Sequence, residues 1–218
     1  MNSDVPKQFL LLAGLPVILH SIRAFIDFDP EIQIVVALPE NYFSFWIHQC
    51  EKFGFTTRHT LSKGGETRFH TVKNALGYIT GNTLVAIHDA VRPLVSRKTI
   101  ETGFRDALTF GNAIPVIPVN ESIRWTDGNK NQQIDREKLR IIQTPQVFEA
   151  GLIKKAYQRV TSDEFTDDAS VIEAMGEPIH LFEGNPENIK ITYPYELLIA
   201  EALFALSIQT QPNSRPTQ

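Results

Sequence analysis

From Pro16 to Val119 the chain alternates short apolar runs with stretches of helical periodicity. That order predicts a parallel sheet whose strands are joined by crossover helices. Phe9–Ala13 is a short apolar piece, Gly14 a turn, and Pro16 starts a helix, as proline does in a first turn. Val17, Ile18, Ile22, Phe25 and Ile26 then recur at helical spacing. Ile32–Leu38 is a β-branched run, read as a buried strand ended by Pro39. Phe43–Phe53 reads as a helix stopped by Gly54, and Thr56–Leu61 as a short strand. After Gly64-Gly65, Thr71–Ile79 is helical. Ser96 is a candidate N-cap for a helix with Ile100, Phe104 and Leu108 as its stripe and Gly111 as its stop. Ala113–Val119 is strand-like, and Pro115 and Pro118 suggest that it is irregular or near an edge.

Within this alternation, Thr83–His88 is the most informative strand. Leu84 to Ile87 are apolar in succession, as in a strand covered on both faces. The chain then turns polar at once, with His88, Asp89 and Arg92-Pro93. In an open α/β sheet, ligands bind beyond the carboxyl ends of the strands. Asp89 is placed to hold a hard cation there, and Arg92 to grip a phosphate at two points. A strand end closed by a structural Asp-Arg ion pair is the other reading of the same residues.

Glu121–Leu139 breaks the rhythm. It is polar, contains Asp127-Gly128, and reads as an antiparallel excursion around a hairpin turn. Such an arm has little core of its own and is expected to pack on another surface, such as a second subunit. Leu152–Val160 and Asp167–Met175 read as helices, the latter with Thr166 as cap. Ile179–Phe182 and Asn188–Thr192 read as short strands, and a final amphipathic helix runs from about Tyr195 to Leu206. The expected domain is 1–208, with 209–218 a polar tail.

The 218 residues carry a net charge of -4, which argues against a nucleic-acid binder dominated by phosphate contacts. Cys50 is the only cysteine, so neither an intrachain disulfide nor a cysteine zinc site can form. No apolar run reaches membrane-spanning length, and no basic segment precedes an apolar one at the start. A cytoplasmic location with no membrane and no nucleic-acid partner is the expectation.

Several polar segments admit two readings each. Lys7, between Pro6 and Gln8, is a positioned charge for a phosphate or a solvated lysine. Gly64-Gly65-Glu66-Thr67-Arg68-Phe69-His70-Thr71 leads into a helix, where glycines and free N–H groups suit a ligand, or is a plain loop. Lys190 alternates with apolar neighbours and is either a ligand contact or an outward strand lysine. Asp135-Arg136 reads as a solvated pair, and Asp167-Asp168 as charge at a helix N-terminus. His59, His70, His88 and His180 lack metal-ligand spacing and read as surface or satisfied histidines.

The joint occurrence of six short segments in one order is more specific than any of them. Pro6-Lys7-Gln8-Phe9, Gly64-Gly65-x-x-Arg68-x-x-Thr71, His88-Asp89-Ala90-x-Arg92-Pro93, Thr144-Pro145-Gln146, Thr166-Asp167-Asp168-Ala169-Ser170 and Asn188-Ile189-Lys190-Ile191-Thr192 together resemble the 2-C-methyl-D-erythritol 4-phosphate cytidylyltransferases. The resemblance runs from Met1 to about Leu206. It implies an α/β fold with a Rossmann-like, mostly parallel sheet flanked by helices and a β-hairpin dimerisation arm. It implies transfer of CMP from CTP to methylerythritol phosphate, with Mg²⁺, in a homodimer clasped through 121–139. By the same resemblance Lys7 and Lys190 would be catalytic, holding the triphosphate and the α-phosphate. Gly65, Glu66, Thr71 and Ala90 would bind the nucleotide, and Asp89 the metal. Arg92, Ser122, Arg136 and Thr144 would meet the acceptor, with Ser122 standing where the family usually has threonine.

The family pattern also includes a buried strand and a Gly-x-Gly-x-Arg-Met loop ahead of Pro-Lys-Gln, and Met1 falls on that methionine. Losing such a strand would cost roughly 10 kcal/mol, against about 5–15 kcal/mol for a whole domain. The expectation is therefore a start lying upstream of Met1, and otherwise a weakened chain with a slot between two parallel strands. Two alternatives accompany the main reading: a cytidylyltransferase for another polyol phosphate such as ribitol 5-phosphate, and a non-catalytic remnant.

Overall fold

The computed structural model describes residues 5–160 and 162–210. A two-residue hairpin opens it, with β1 (Leu11–Leu12) against β2 (Leu15–Pro16). Its turn residues Ala13 and Gly14 have φ of 47° and 82°, the left-handed pair that matches strand twist in so short a loop. Pro16 then caps α1 (Val17–Phe28), as the sequence predicts. The helix buries Val17, Ile18, Leu19, Ile22 and Phe25. Next come β3 (Ile34–Leu38), α2 (Phe43–Lys52), β4 (His59–Lys63), α3 (Arg68–Leu76) and β5 (Leu84–Ile87). β3 pairs β4 in parallel, and among the described residues neither is hydrogen-bonded to β5.

β5 departs from expectation. Its four residues are only half-buried, not covered on both faces. Among the described residues it is paired along one edge, and a strand with one lateral neighbour leaves its side chains partly accessible.

Ser96 caps α4 (Arg97–Phe110) by accepting the Thr99 N–H at 3.1 Å, and Gly111 ends it with φ 78°. β6 (Asn112–Pro118) follows, then β7 (Ile123–Asp127), β8 (Lys130–Ile134), β9 (Arg140–Ile142), β10 (Gln146–Glu149), α5 (Ala150–Arg159), α6 (Asp168–Glu173), β11 (Leu181–Glu183) and α7 (Pro194–Thr210). The main sheet runs β11-β6-β10-β5, with β9 also on β6. β5 and β6 are both antiparallel to β10, and β11 is parallel to β6, so β5, β6 and β11 point one way.

β6 is central rather than an edge strand. Its antiparallel partner changes along its length, from β10 at Asn112 and Ala113 to β9 at Val116 to Pro118. Pro115 falls at the changeover and only accepts there, its carbonyl taking the Gln143 N–H at 2.8 Å. A proline inside a sheet is tolerated where no ladder donor is required.

The two-residue period of the strands sorts the core into layers. Ile114 and Phe148 join Phe69, Ile153, Tyr157 and Ile172 beneath α3, α5 and α6. Ala113 and Val147 join Ala107 and Phe182 beneath α4. β7 and β8 pair with each other through the turn at Gly128, as expected for the arm, and are largely exposed. Asn188–Thr192 is not a strand: it joins the body by one backbone bond there, from Ile191 N–H to the Val91 carbonyl at 2.9 Å, with Ile191 fully buried. α7 is longer than predicted. It buries Ala200 but leaves Leu198 and Leu206 exposed, so it is not cleanly amphipathic. No described helix is long and apolar enough to cross a membrane.

Candidate active site

The carboxyl end of β5 carries the site. Asp89 sits two residues beyond Ile87, and the turn closed by Arg92 N–H on the Asp89 carbonyl brings Arg92 back over it. Arg92 Nε lies 3.2 Å from Asp89 Oδ2 and Arg92 Nη1 donates to the Asn188 carbonyl at 2.8 Å. Lys190 Nζ lies 3.1 Å from the same Oδ2. Burial pushes the Asp89 carboxyl up, but Lys190 and then Arg92 outweigh it and hold the group below its ordinary value. Asp89 is therefore a carboxylate at neutral pH. The structural ion pair is present, and it lies in a ligand-sized cleft.

That cleft has a volume of about 290 Å³ and is lined by Asp89, Arg92, Thr144, Lys190, Arg68 and Thr166, among others. Ligand pockets start at roughly 300 Å³, so the cleft is at the small end of that range. Asn188, fully buried, donates from Nδ2 to the Thr144 carbonyl at 2.7 Å and so fastens the Lys190 segment to the Thr144 loop.

His88 is a satisfied histidine. Nε2 lies 3.0 Å from the Arg92 carbonyl and Nδ1 lies 3.1 Å from Thr144 Oγ1. Burial pushes its pKa down to about 4, so the ring is neutral near pH 7. Among the described residues no three His, Cys, Asp or Glu side chains form a metal-binding group. One carboxylate still suits Mg²⁺, which is held by one or two carboxylates plus substrate phosphates and keeps several waters.

The sequence reading missed one constellation here. Asp168 is fully buried and takes Arg68 Nη1 at 3.0 Å and Nη2 at 2.5 Å, plus the Tyr157 hydroxyl at 2.6 Å. Burial and then Asp168 drive the Tyr157 hydroxyl far above its ordinary pKa. Gln146 Oε1 accepts the N–H groups of Asp168 and Ala169. Asp168 is thus an anchor for Arg68 and not merely helix-terminal charge. Asp167, not Thr166, caps α6, accepting the Ser170 N–H at 3.2 Å.

The other expected site residues lie outside the cleft lining. Gly65 N–H donates to Thr71 Oγ1 at 2.9 Å, and Thr71 Oγ1 donates to the Thr67 carbonyl at 3.0 Å. A Cβ on Gly65 would fall 2.2 Å from the His70 Cβ, so only glycine fits that loop. Glu66 is exposed beside it. The Ala90 carbonyl accepts from Ser21 Oγ at 3.0 Å. Lys7 begins a short 3-10 turn anchored by buried Phe9. Ser122 and Arg136 are exposed on the arm, with Arg136 Nη1 donating to the Asn120 carbonyl at 2.5 Å.

Comparison with known proteins identifies the family. The family model described as "IspD: 2-C-methyl-D-erythritol 4-phosphate cytidylyltransferase" matches residues 1–205. The enzyme of that name from Bacteroides fragilis is 47% identical over 203 residues, 93% of each chain, and that from Clostridium perfringens is 34% identical over 206 residues, 92% of this chain and 91% of its own. The crystal structure of the Thermus thermophilus enzyme superimposes with a TM-score of 0.80 at 32% identity, covering 92% of this chain and 94% of that one. The chain belongs to the 2-C-methyl-D-erythritol 4-phosphate cytidylyltransferase family, nucleotidyltransferases of isoprenoid biosynthesis that carry out CTP-dependent cytidylyl transfer.

Proposed function

We propose that the Asp89–Thr144 cleft holds methylerythritol phosphate and that residues 1–208 act as one nucleotidyltransferase domain. The observation that carries this is the convergence of Arg92 and Lys190 on Asp89 at the wall of the cleft. Arg92 can hold the acceptor's phosphate while Lys190 faces the α-phosphate of CTP, so that one oxygen of the acceptor's phosphate lies in line with the α-phosphorus. That oxygen attacks, the new P–O bond forms as the bond to the β-phosphate oxygen breaks, and pyrophosphate leaves with the electron pair. No protein nucleophile is needed, because catalysis of this kind is positioning plus charge stabilisation. Asp89 would hold Mg²⁺, which neutralises charge on the phosphates.

Lys7 and Lys190 neutralise the triphosphate side of the reaction in this reading. The Gly65, Glu66 and Thr71 loop and Ala90 take the base and ribose. The arm serves a homodimer. Exposed Trp125 on β7 and exposed Ile141 and Ile142 on β9 are apolar surface that a second copy would cover, bringing Ser122 and Arg136 to the partner's acceptor site. A cytoplasmic location goes with this chemistry.

Ser122 favours keeping ribitol 5-phosphate as a second acceptor, since it departs from the family pattern on the acceptor-facing arm. Pyrophosphate release measured with each polyol phosphate tests the assignment. Faster turnover of ribitol 5-phosphate would replace the first reading by the second.

A further inference from the structure

The residues read as meeting CTP through its base, ribose and triphosphate come from segments distant in the chain, at Lys7, at Gly65–Thr71 and at Ala90. These segments rest on the same core cluster. Phe9 packs its ring edge-on against Phe45 of α2, with centroids 4.9 Å apart, and lies 6.4 Å from the ring of Trp46. It closes the turn that begins at Lys7, its N–H donating to the Pro6 carbonyl at 2.9 Å and the Leu10 N–H to the Lys7 carbonyl at 3.2 Å. Leu38, at the end of β3, belongs to the same cluster, and its carbonyl takes the Gly64 N–H at 2.8 Å. Ala90 packs against the cluster as well. The chain neighbours of Arg92 and Lys190 do not: Val91, Ile189 and Ile191 belong to a separate cluster with Leu12 and Ala200.

Trp46 is fully buried in the first cluster, and its indole N–H donates to His59 Nε2 at 2.9 Å. An indole has no acceptor, so the direction of that bond is fixed, and His59 Nδ1 then donates to the Thr57 carbonyl at 2.8 Å. β4 starts at His59 and runs to Lys63, directly into Gly64-Gly65. Trp46 therefore reaches the Lys7 turn through Phe9 and the Gly65 loop through His59 and β4. Close-packed interiors transmit strain, so a shift of the indole is passed to both.

We propose that Trp46, held by His59, is a positioning residue for the nucleotide: it keeps the Lys7 turn and the Gly65 loop in mutual register and so governs the affinity for CTP without acting on the acceptor. The proposal rests on the assignment of Lys7 and the Gly65 loop to CTP and adds what holds them together.

Steady-state kinetics test it. His59→Leu removes the acceptor of the Trp46 N–H. It should raise KM for CTP about fivefold, the value of one hydrogen bond, with KM for the acceptor within about twofold. His59→Gln supplies an amide oxygen for the Trp46 N–H and should restore most of that loss. Both variants lose the donor to Thr57, so the difference between them reads the Trp46 bond alone. Trp46→Phe keeps a ring beside Phe9 but has no N–H, and should resemble His59→Leu. Equal rises for both substrates, or Gln no better than Leu, would overturn the proposal. Nitrogen-15 NMR of the unaltered protein needs no variant to fold. The Trp46 indole N–H, buried and slow to exchange where that of exposed Trp125 is fast, should shift as CTP binds. A resonance unmoved at saturating CTP contradicts the proposal. Lys7→Ala separates the two levels. If it leaves KM for CTP unchanged, the assignment of Lys7 to CTP fails. If it raises that KM while the His59 and Trp46 variants do not, the positioning role alone fails.

Discussion

The Asp89 N–H donates to Thr144 Oγ1 at 3.0 Å across 55 residues of chain. One hydroxyl thus ties the residue proposed to hold the metal to the loop proposed to hold the acceptor. Asn188 and Arg92 reinforce the tie from the Lys190 side. The two proposed binding elements are joined by direct hydrogen bonds.

Asp89→Asn removes the carboxylate while keeping its size. Lys190 and Arg92 then lose their shared partner, and the metal loses its protein ligand. Turnover with Mg²⁺ should fall about 100-fold or more, with circular dichroism unchanged. Activity near wild type would refute the metal role.

Stability should depend on pH through His88. Its ordinary pKa is 6.5 and burial lowers it to about 4 in the folded chain. Between these values the unfolded chain binds a proton that the folded chain refuses. Stability should therefore fall as pH drops from 6.5 toward 4, by roughly 3 kcal/mol, and level off below. The Asp89 contribution lies lower, present above its ordinary 3.8 and lost as pH falls beneath it. Urea unfolding across pH, compared with His88→Asn, isolates the histidine: the variant should show a flatter profile.

Asp168→Ala leaves the half-buried Arg68 without its carboxylate and Tyr157 without its acceptor. Breaking such a pair from one side should cost about 3–5 kcal/mol in urea unfolding. Asp168→Asn, which keeps an acceptor oxygen for Tyr157, should cost less. Equal losses would mean that the charge carries the whole effect and that the oxygen kept for Tyr157 contributes nothing.

Arg136→Ala removes an exposed guanidinium from the arm. KM for the acceptor should rise by about tenfold while KM for CTP holds, the pattern of a lost charge-assisted contact to one substrate. A rise in both would place Arg136 elsewhere.

Asp89 and Arg92 were legible because a strand end, a carboxylate and a guanidinium are neighbours in the chain, and the local turn keeps them together in space. Lys190 needed the family resemblance: an alternating lysine reads as well outward as inward, and Asn188–Thr192 is not even a strand. Asp168 does stand in the first turn of α6, as read, but its contact with Arg68 was not legible, because Arg68 lies 100 residues away and no local pattern encodes a contact of that range. Pro115 and Pro118 pointed to a strand that is irregular or near an edge. The irregular alternative holds, because Pro115 falls where β6 exchanges one antiparallel partner for another. The half-burial of β5 was hidden because four apolar residues announce a buried strand whatever lies along its edges.

The most direct measurement is pyrophosphate release from CTP with methylerythritol phosphate and Mg²⁺, with the cytidylylated product quantified alongside. Pyrophosphate and product formed one to one, dependent on both acceptor and metal, is the predicted result. Pyrophosphate released without acceptor, or no release with the acceptor at saturation, would contradict the account.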